Sequence, residues 1–130
     1  MNEMKITFPG GKRVAALLNG FEILTDQPRA GGGEGAAPAP FDFFLASLGT
    51  CAGIYVLGFL QARGLSAEGL EMTQAMEWDP ETHLMKKVSF NIKIPPGVPE
   101  KYRDAIVKAA ERCAVKRTLH SPPEFEITAG

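Results

Sequence analysis

Residues 40–64 read Pro-Phe-Asp-Phe-Phe-Leu-Ala-Ser-Leu-Gly-Thr-Cys-Ala-Gly-Ile-Tyr-Val-Leu-Gly-Phe-Leu-Gln-Ala-Arg-Gly, and the fold turns on how this stretch is read. No charge occurs between Phe43 and Leu60, and apolar residues run round every face, so a helix here is expected to be buried on all sides. Pro40 suits the first helical position, where its missing N–H costs nothing, and Asp42 places an anion beside the exposed amides. Gly64 is a natural stop, with Arg63 suited to the negative end before it. At 1.5 Å per residue the helix spans roughly 36 Å. Near its centre stands Cys51.

A run this long and uncharged also meets the length criterion for a membrane span. Ser47, Gly49, Thr50, Gly53 and Gly58 dilute it, and the rest of the chain is hydrophilic, so the reading is a soluble core helix with no membrane partner. Gly49 and Gly53, four apart and close to Ala46, share a face that admits a second helix backbone at short range. The neighbour expected there is the same helix of a second subunit. A 130-residue chain is thin cover for such a helix, and a homodimer would solve that.

The formal net charge of −1 and pI near 6.1 give no basic footprint, so nucleic acid is not expected as a partner. The N-terminus lacks the basic start and apolar run of a secretory signal, and two cysteines without one point to a reducing, cytoplasmic setting. There a cysteine pair is more often redox-active or metal-binding than a structural staple.

Upstream, Met4 to Phe8 alternates, Pro9-Gly10-Gly11 turns, Arg13 to Leu18 is apolar, and Asn19-Gly20 precedes a third short strand from Phe21 to Leu24. This predicts an antiparallel meander closed by Thr25-Asp26-Gln27-Pro28. Residues 29–39, with Gly31, Gly32, Gly33 and Gly35, form a loop. Its glycines could cradle a phosphate, but no GK[ST] pattern follows and Asp42 would repel the anion.

Downstream, Leu70, Met72, Met76 and Trp78 alternate, with Gln74 the exception, and Leu84, Val88, Phe90, Ile92 and Ile94 alternate against a polar face. Together they predict a long hairpin turned at Asp79-Pro80-Glu81-Thr82, with Met72, Met76 and Trp78 on its core face. Pro99-Glu100 opens a second helix whose stripe of Tyr102, Ile106, Ala109 and Cys113 places Cys113 near its buried end. After Ser121-Pro122-Pro123, residues 124–128 can make a last strand. No internal repeat is present.

The stretch from Pro40 to Cys51 after a glycine-rich loop, together with Cys113-Ala-Val-Lys-Arg-Thr-Leu119, resembles the two cysteine motifs of the OsmC/Ohr family, in order and length over nearly the whole chain. The resemblance implies a single OsmC-like domain over 1–130: an α+β fold of antiparallel sheets wrapped around long buried central helices, in an intertwined homodimer. It also implies a thiol peroxidase that reduces organic hydroperoxides, with Cys51 peroxidatic, Cys113 resolving, an external dithiol as reductant and no cofactor or metal. Such chemistry runs through a sulfenic acid that condenses with the second thiol.

The family also holds its thiolate with an arginine from the N-terminal strands, itself held by a glutamate near the start of the central helix. Burial alone would raise a thiol pKa, and a mid-helix position gains nothing from its own helix ends. Arg13 is the best match for the arginine and Arg29 the second. At the glutamate position this chain departs from the pattern, with Ala39 before Pro40 and the shorter Asp42 after it. Asp42 lies half a turn round from Cys51 and could act on the sulfur only through the arginine.

Other constellations are weaker. Cys51, Cys113, His83 and His120 lack the short ligand spacings of zinc sites. Cys113 with His120 has no recognisable third group for acyl transfer. Cys51 could be an inert core thiol. The alternative function is a non-enzymatic OsmC-like dimer that binds a small hydrophobic molecule at the subunit interface.

Overall fold

The computed structural model describes residues 3–130. The chain is α+β, with antiparallel sheets and three helices, and falls into two compact units, residues 1–46 and 47–130.

In the first unit β1 (Lys5–Gly10), β2 (Arg13–Leu18) and β3 (Phe21–Thr25) form the expected meander in the order β1-β2-β3. Asn19 and Gly20 both take positive φ, 51° and 80°, as a two-residue hairpin turn requires. Ile6, Val14, Ala15, Ala16 and Ile23 line a shallow cavity of about 230 Å³ with Pro40 and Phe43. The loop after β3 is ordered from inside. Asp26 is 1% exposed, and its carboxylate accepts N–H bonds from Gln27 (2.7 Å), Glu34 (3.3 Å) and Ala36 (3.0 Å). Gly33 must be glycine, because a Cβ there would run into the Gln27 carbonyl oxygen.

The central helix α1 (Pro40–Ala62) starts at the expected residue, and Gly64 turns the chain at φ 64°. By length and composition it could cross a membrane. In the second unit its buried residues form one stripe, Leu48, Ala52, Val56 and Leu60, packed with Ile106 and Ala110. Burial on all sides is therefore corrected for the single chain: Ile54, on another face, is 58% exposed.

The glycine face is corrected too. A Cβ at Gly49 would come within 2.5 Å of Gln74 Oε1, and one at Gly53 within 3.8 Å of Met72 Sδ. The close neighbour is thus strand β4 (Glu71–Trp78) of the same chain. Gln74, the polar exception in the strand pattern, lies over the position where α1 has no side chain.

Strand β4 pairs antiparallel with β5 (Met85–Lys93). A register shift at Glu77/Trp78 pairs Trp78 with Met85, so Met85 turns inward and Leu84 is left 68% exposed, the reverse of the expected assignment. Met76 and Trp78, expected in the core, are 38% and 45% exposed, whereas Met72 packs against it.

After a 3-10 turn at Glu100–Tyr102, the second helical stretch breaks into α2 (Arg103–Glu111) and α3 (Ala114–His120). Cys113 sits between them in an extended conformation, φ −51° and ψ 125°, so it caps α3 and does not end α2. Residues 122–130 form no strand, and Phe125 and Ile127 are 84% and 95% exposed.

Candidate active site

The two thiols belong to different elements and meet inside the second unit. Cys51 lies midway along α1, half-buried, one residue before the buried Ala52. Cys113 is wholly buried at the start of α3. Its thiol lies 3.9 Å from the Leu48 carbonyl oxygen, to which it donates, and it is also within hydrogen-bond reach of Cys51. Leu48 lies one turn before Cys51 on α1, so this carbonyl fixes the second sulfur beside the first.

The α2–α3 break creates this geometry. By leaving the helix at Arg112 and Cys113, the backbone exposes the first amides of α3, and those of Val115 and Ala114 act on the Cys51 sulfur. The Val115 N–H is the main influence holding the Cys51 thiol below its ordinary range. Burial opposes it, while the Cys113 thiol, the Ala114 N–H and the charge of Arg117 reinforce it. A mid-helix thiol gains nothing from its own helix ends, but here a second helix presents its start to the sulfur.

Arg13, at the start of β2, places Nη1 3.6 Å from Glu34 Oε2. Its positive charge adds to the amides of Ala36, Gln27 and Glu34 in holding the Asp26 carboxyl below its ordinary value. Asp42 accepts the Ala39 N–H at 3.0 Å, as a helix-start anion does. Among the described residues Asp42 makes no ion pair, and the carboxylate paired with Arg13 is Glu34. Arg29 lies in a 3-10 turn at Arg29–Gly31. Among the described residues no three of His, Cys, Asp and Glu converge as a metal site would need, so Cys51, Cys113, His83 and His120 are not assembled as one.

Sequence reasoning missed the amides of Ala114 and Val115, Arg117 and Asp26. The usable signal for Arg117 was its spacing, four residues beyond Cys113, which returns it to the same side of a helix. For Asp26 it was position, an acid immediately before a glycine-rich loop whose amides need an acceptor.

The family model described as OsmC-like protein matches residues 31–128. No curated protein matches the chain. Among solved structures, one described as an osmotic stress induced and detoxification response protein from Psychrobacter arcticus is 26% identical, covering 91% of this chain and 88% of its own, with a TM-score of 0.70. An OsmC-like protein from Mycoplasma pneumoniae is 17% identical, covering 93% and 89%, with a TM-score of 0.68. An organic hydroperoxide resistance protein OsmC from Legionella pneumophila is 21% identical, covering 92% and 90%, with a TM-score of 0.53. The last two likenesses concern the fold.

Proposed function

Since the chain belongs to the OsmC-like protein family, we propose that it is a thiol peroxidase that reduces organic hydroperoxides through Cys51 and Cys113. The observation that carries this reading is the asymmetric pair: a half-buried thiol held below its ordinary pKa, with a wholly buried second thiol within hydrogen-bond reach. An inert core cysteine needs neither the amides nor the partner.

In this mechanism the Cys51 thiolate attacks the terminal peroxide oxygen and the O–O bond breaks. The alkoxide leaves, takes a proton to become the alcohol, and Cys51 becomes a sulfenic acid. The Cys113 sulfur, after giving up its proton, attacks the Cys51 sulfur. An S–S bond forms, the S–O bond breaks and water departs. An external dithiol in a reducing, cytoplasmic compartment then reopens the disulfide by exchange.

The chain works as a homodimer on this reading, supported by what a single copy leaves uncovered: Ile54 on α1, and Phe125 and Ile127 near the C-terminus. Sedimentation at micromolar concentration should show a dimer, and a folded monomer would count against it. The activity is tested by peroxide consumption with excess dithiol. Apolar surroundings favour an alkyl tail by roughly 0.8 kcal/mol per buried methylene, so cumene or tert-butyl hydroperoxide should be reduced faster than hydrogen peroxide. Consumption of neither above the thiol background would leave the hydrophobic-ligand dimer in its place.

A further inference from the structure

We infer that the cleft between β5, α2 and α3 is a binding site for a small zwitterion with an apolar side chain, an apolar α-amino acid being its simplest form. The site lies outside the thiol pair and stands whether or not Cys51 is a nucleophile. It is a cavity of about 330 Å³, near the lower end of the range for small-molecule sites. On the strand side Phe90, Ile92 and Ile94 alternate, so they share one face, and all three are half-buried. On the helix side Arg103, Val107, Ala110 and Glu111 recur at helical spacing along α2, with Val107 still 45% exposed. Lys116 completes the lining from α3.

Three charged side chains line the cavity, and their partners decide which ligand fits. The Arg103 guanidinium is already engaged, Nε donating to Glu100 Oε1 at 2.7 Å and Nη2 to Oε2 at 3.3 Å. Lys116 and Glu111 are not. Among the described residues neither side chain makes an ion pair or a hydrogen bond, with the other or with any third group, and Lys116 is half-buried in a largely apolar cleft. A cation and an anion that share one cavity without meeting are complementary to a molecule carrying one charge of each sign. The ligand carboxylate pairs with Lys116 and its ammonium with Glu111, both through charge-assisted bonds, while its side chain covers Ile92 and Val107. A simple fatty acid would find the same apolar lining but would leave Glu111 as an uncompensated repulsion.

The test is an NMR titration of the full chain, its thiols kept reduced, with L-leucine as the probe. Amide shifts should move at Ile92, Val107 and Lys116 and saturate. Glycine should bind at least about tenfold more weakly, since each buried methylene contributes roughly fourfold. Two analogues and two variants then assign the charges. Lys116→Met should weaken L-leucine and N-acetyl-L-leucine about fivefold and leave leucine methyl ester, which has no carboxylate, unchanged. Glu111→Gln should weaken L-leucine and the methyl ester by a similar factor and leave the N-acetyl compound unchanged, with circular dichroism confirming the fold of both variants. No saturable shift in wild type at high millimolar L-leucine overturns the proposal, as do equal affinities of L-leucine and glycine or variants that fail to discriminate between the analogues. A cleft occupied by a second copy of the chain also overturns it: Val107→Asp would then lower the mass in sedimentation, and L-leucine would move no shift in wild type.

Discussion

Two places in the molecule hold a sulfur or carboxylate with backbone N–H groups, and they differ in what surrounds the anion. Around Asp26 the amides of Gln27, Glu34 and Ala36 close over a side chain that is 1% exposed. Around Cys51 the amides of Val115 and Ala114 converge on a half-buried thiol. Asp26 is ionised at neutral pH with or without this help, so its amides fix a loop. Cys51 becomes a nucleophile only when ionised, so its amides set reactivity. On the proposed function, the same device is architecture where the anion is sealed and chemistry where it can be reached.

The sharpest way to break that comparison is to remove each anion. Cys51→Ser should abolish hydroperoxide reduction, since a hydroxyl cannot replace the thiolate, and should leave the fold intact by circular dichroism. Cys113→Ser should permit one turnover per chain and then leave a sulfenic acid on Cys51 that dimedone traps. Sustained turnover in Cys113→Ser would mean that the buried thiol does not resolve.

The corresponding test at the first region is Asp26→Ala. It should leave the amides of Glu34 and Ala36 without their acceptor and speed their hydrogen exchange, with little effect on Cys51 alkylation. Acid should act in the same direction. Because the folded carboxyl titrates below its ordinary 3.8, the loop bonds are intact above that value and are lost as pH falls through the lower folded one. Unchanged exchange at pH 5 in Asp26→Ala would show that the loop is held by other means.

A smaller effect is expected at the glycine face. Gly49→Leu sets a side chain against Gln74 and Phe90 and should destabilise the chain by about 1–3 kcal/mol through overpacking, read from urea unfolding. Since the neighbour is β4 of the same chain, that loss should not depend on protein concentration. A concentration-dependent loss would return the face to a subunit contact.

Much of the architecture was legible because local chemistry and tertiary packing agree. Pro40, Asp42 and Gly64 bound α1 as their cap preferences dictate, and Asn19-Gly20 turns where its left-handed conformers are needed. The break at Cys113 was not legible. Residues 106–120 contain no glycine or proline, and their apolar spacing continues as one helix. What interrupts it is tertiary, a thiol drawn to the Leu48 carbonyl and to Cys51 sixty-two positions earlier in the chain. The shift at Glu77/Trp78 was hidden for a similar reason, since one extra residue in β5 exchanges the faces of Leu84 and Met85 without altering composition. At the candidate site the cysteines could be named from sequence, but the amides that tune Cys51 belong to no side chain and leave no mark in it.

The central claim, that Cys51 and Cys113 form a working redox couple, is tested most directly by peptide mass spectrometry of the reduced protein after one equivalent of cumene hydroperoxide. The account predicts a Cys51–Cys113 disulfide in nearly every chain, with one equivalent of alcohol released and no second oxidant consumed. Cys51 oxidised to sulfinic acid beside an untouched Cys113 thiol, or both thiols still free, would contradict it.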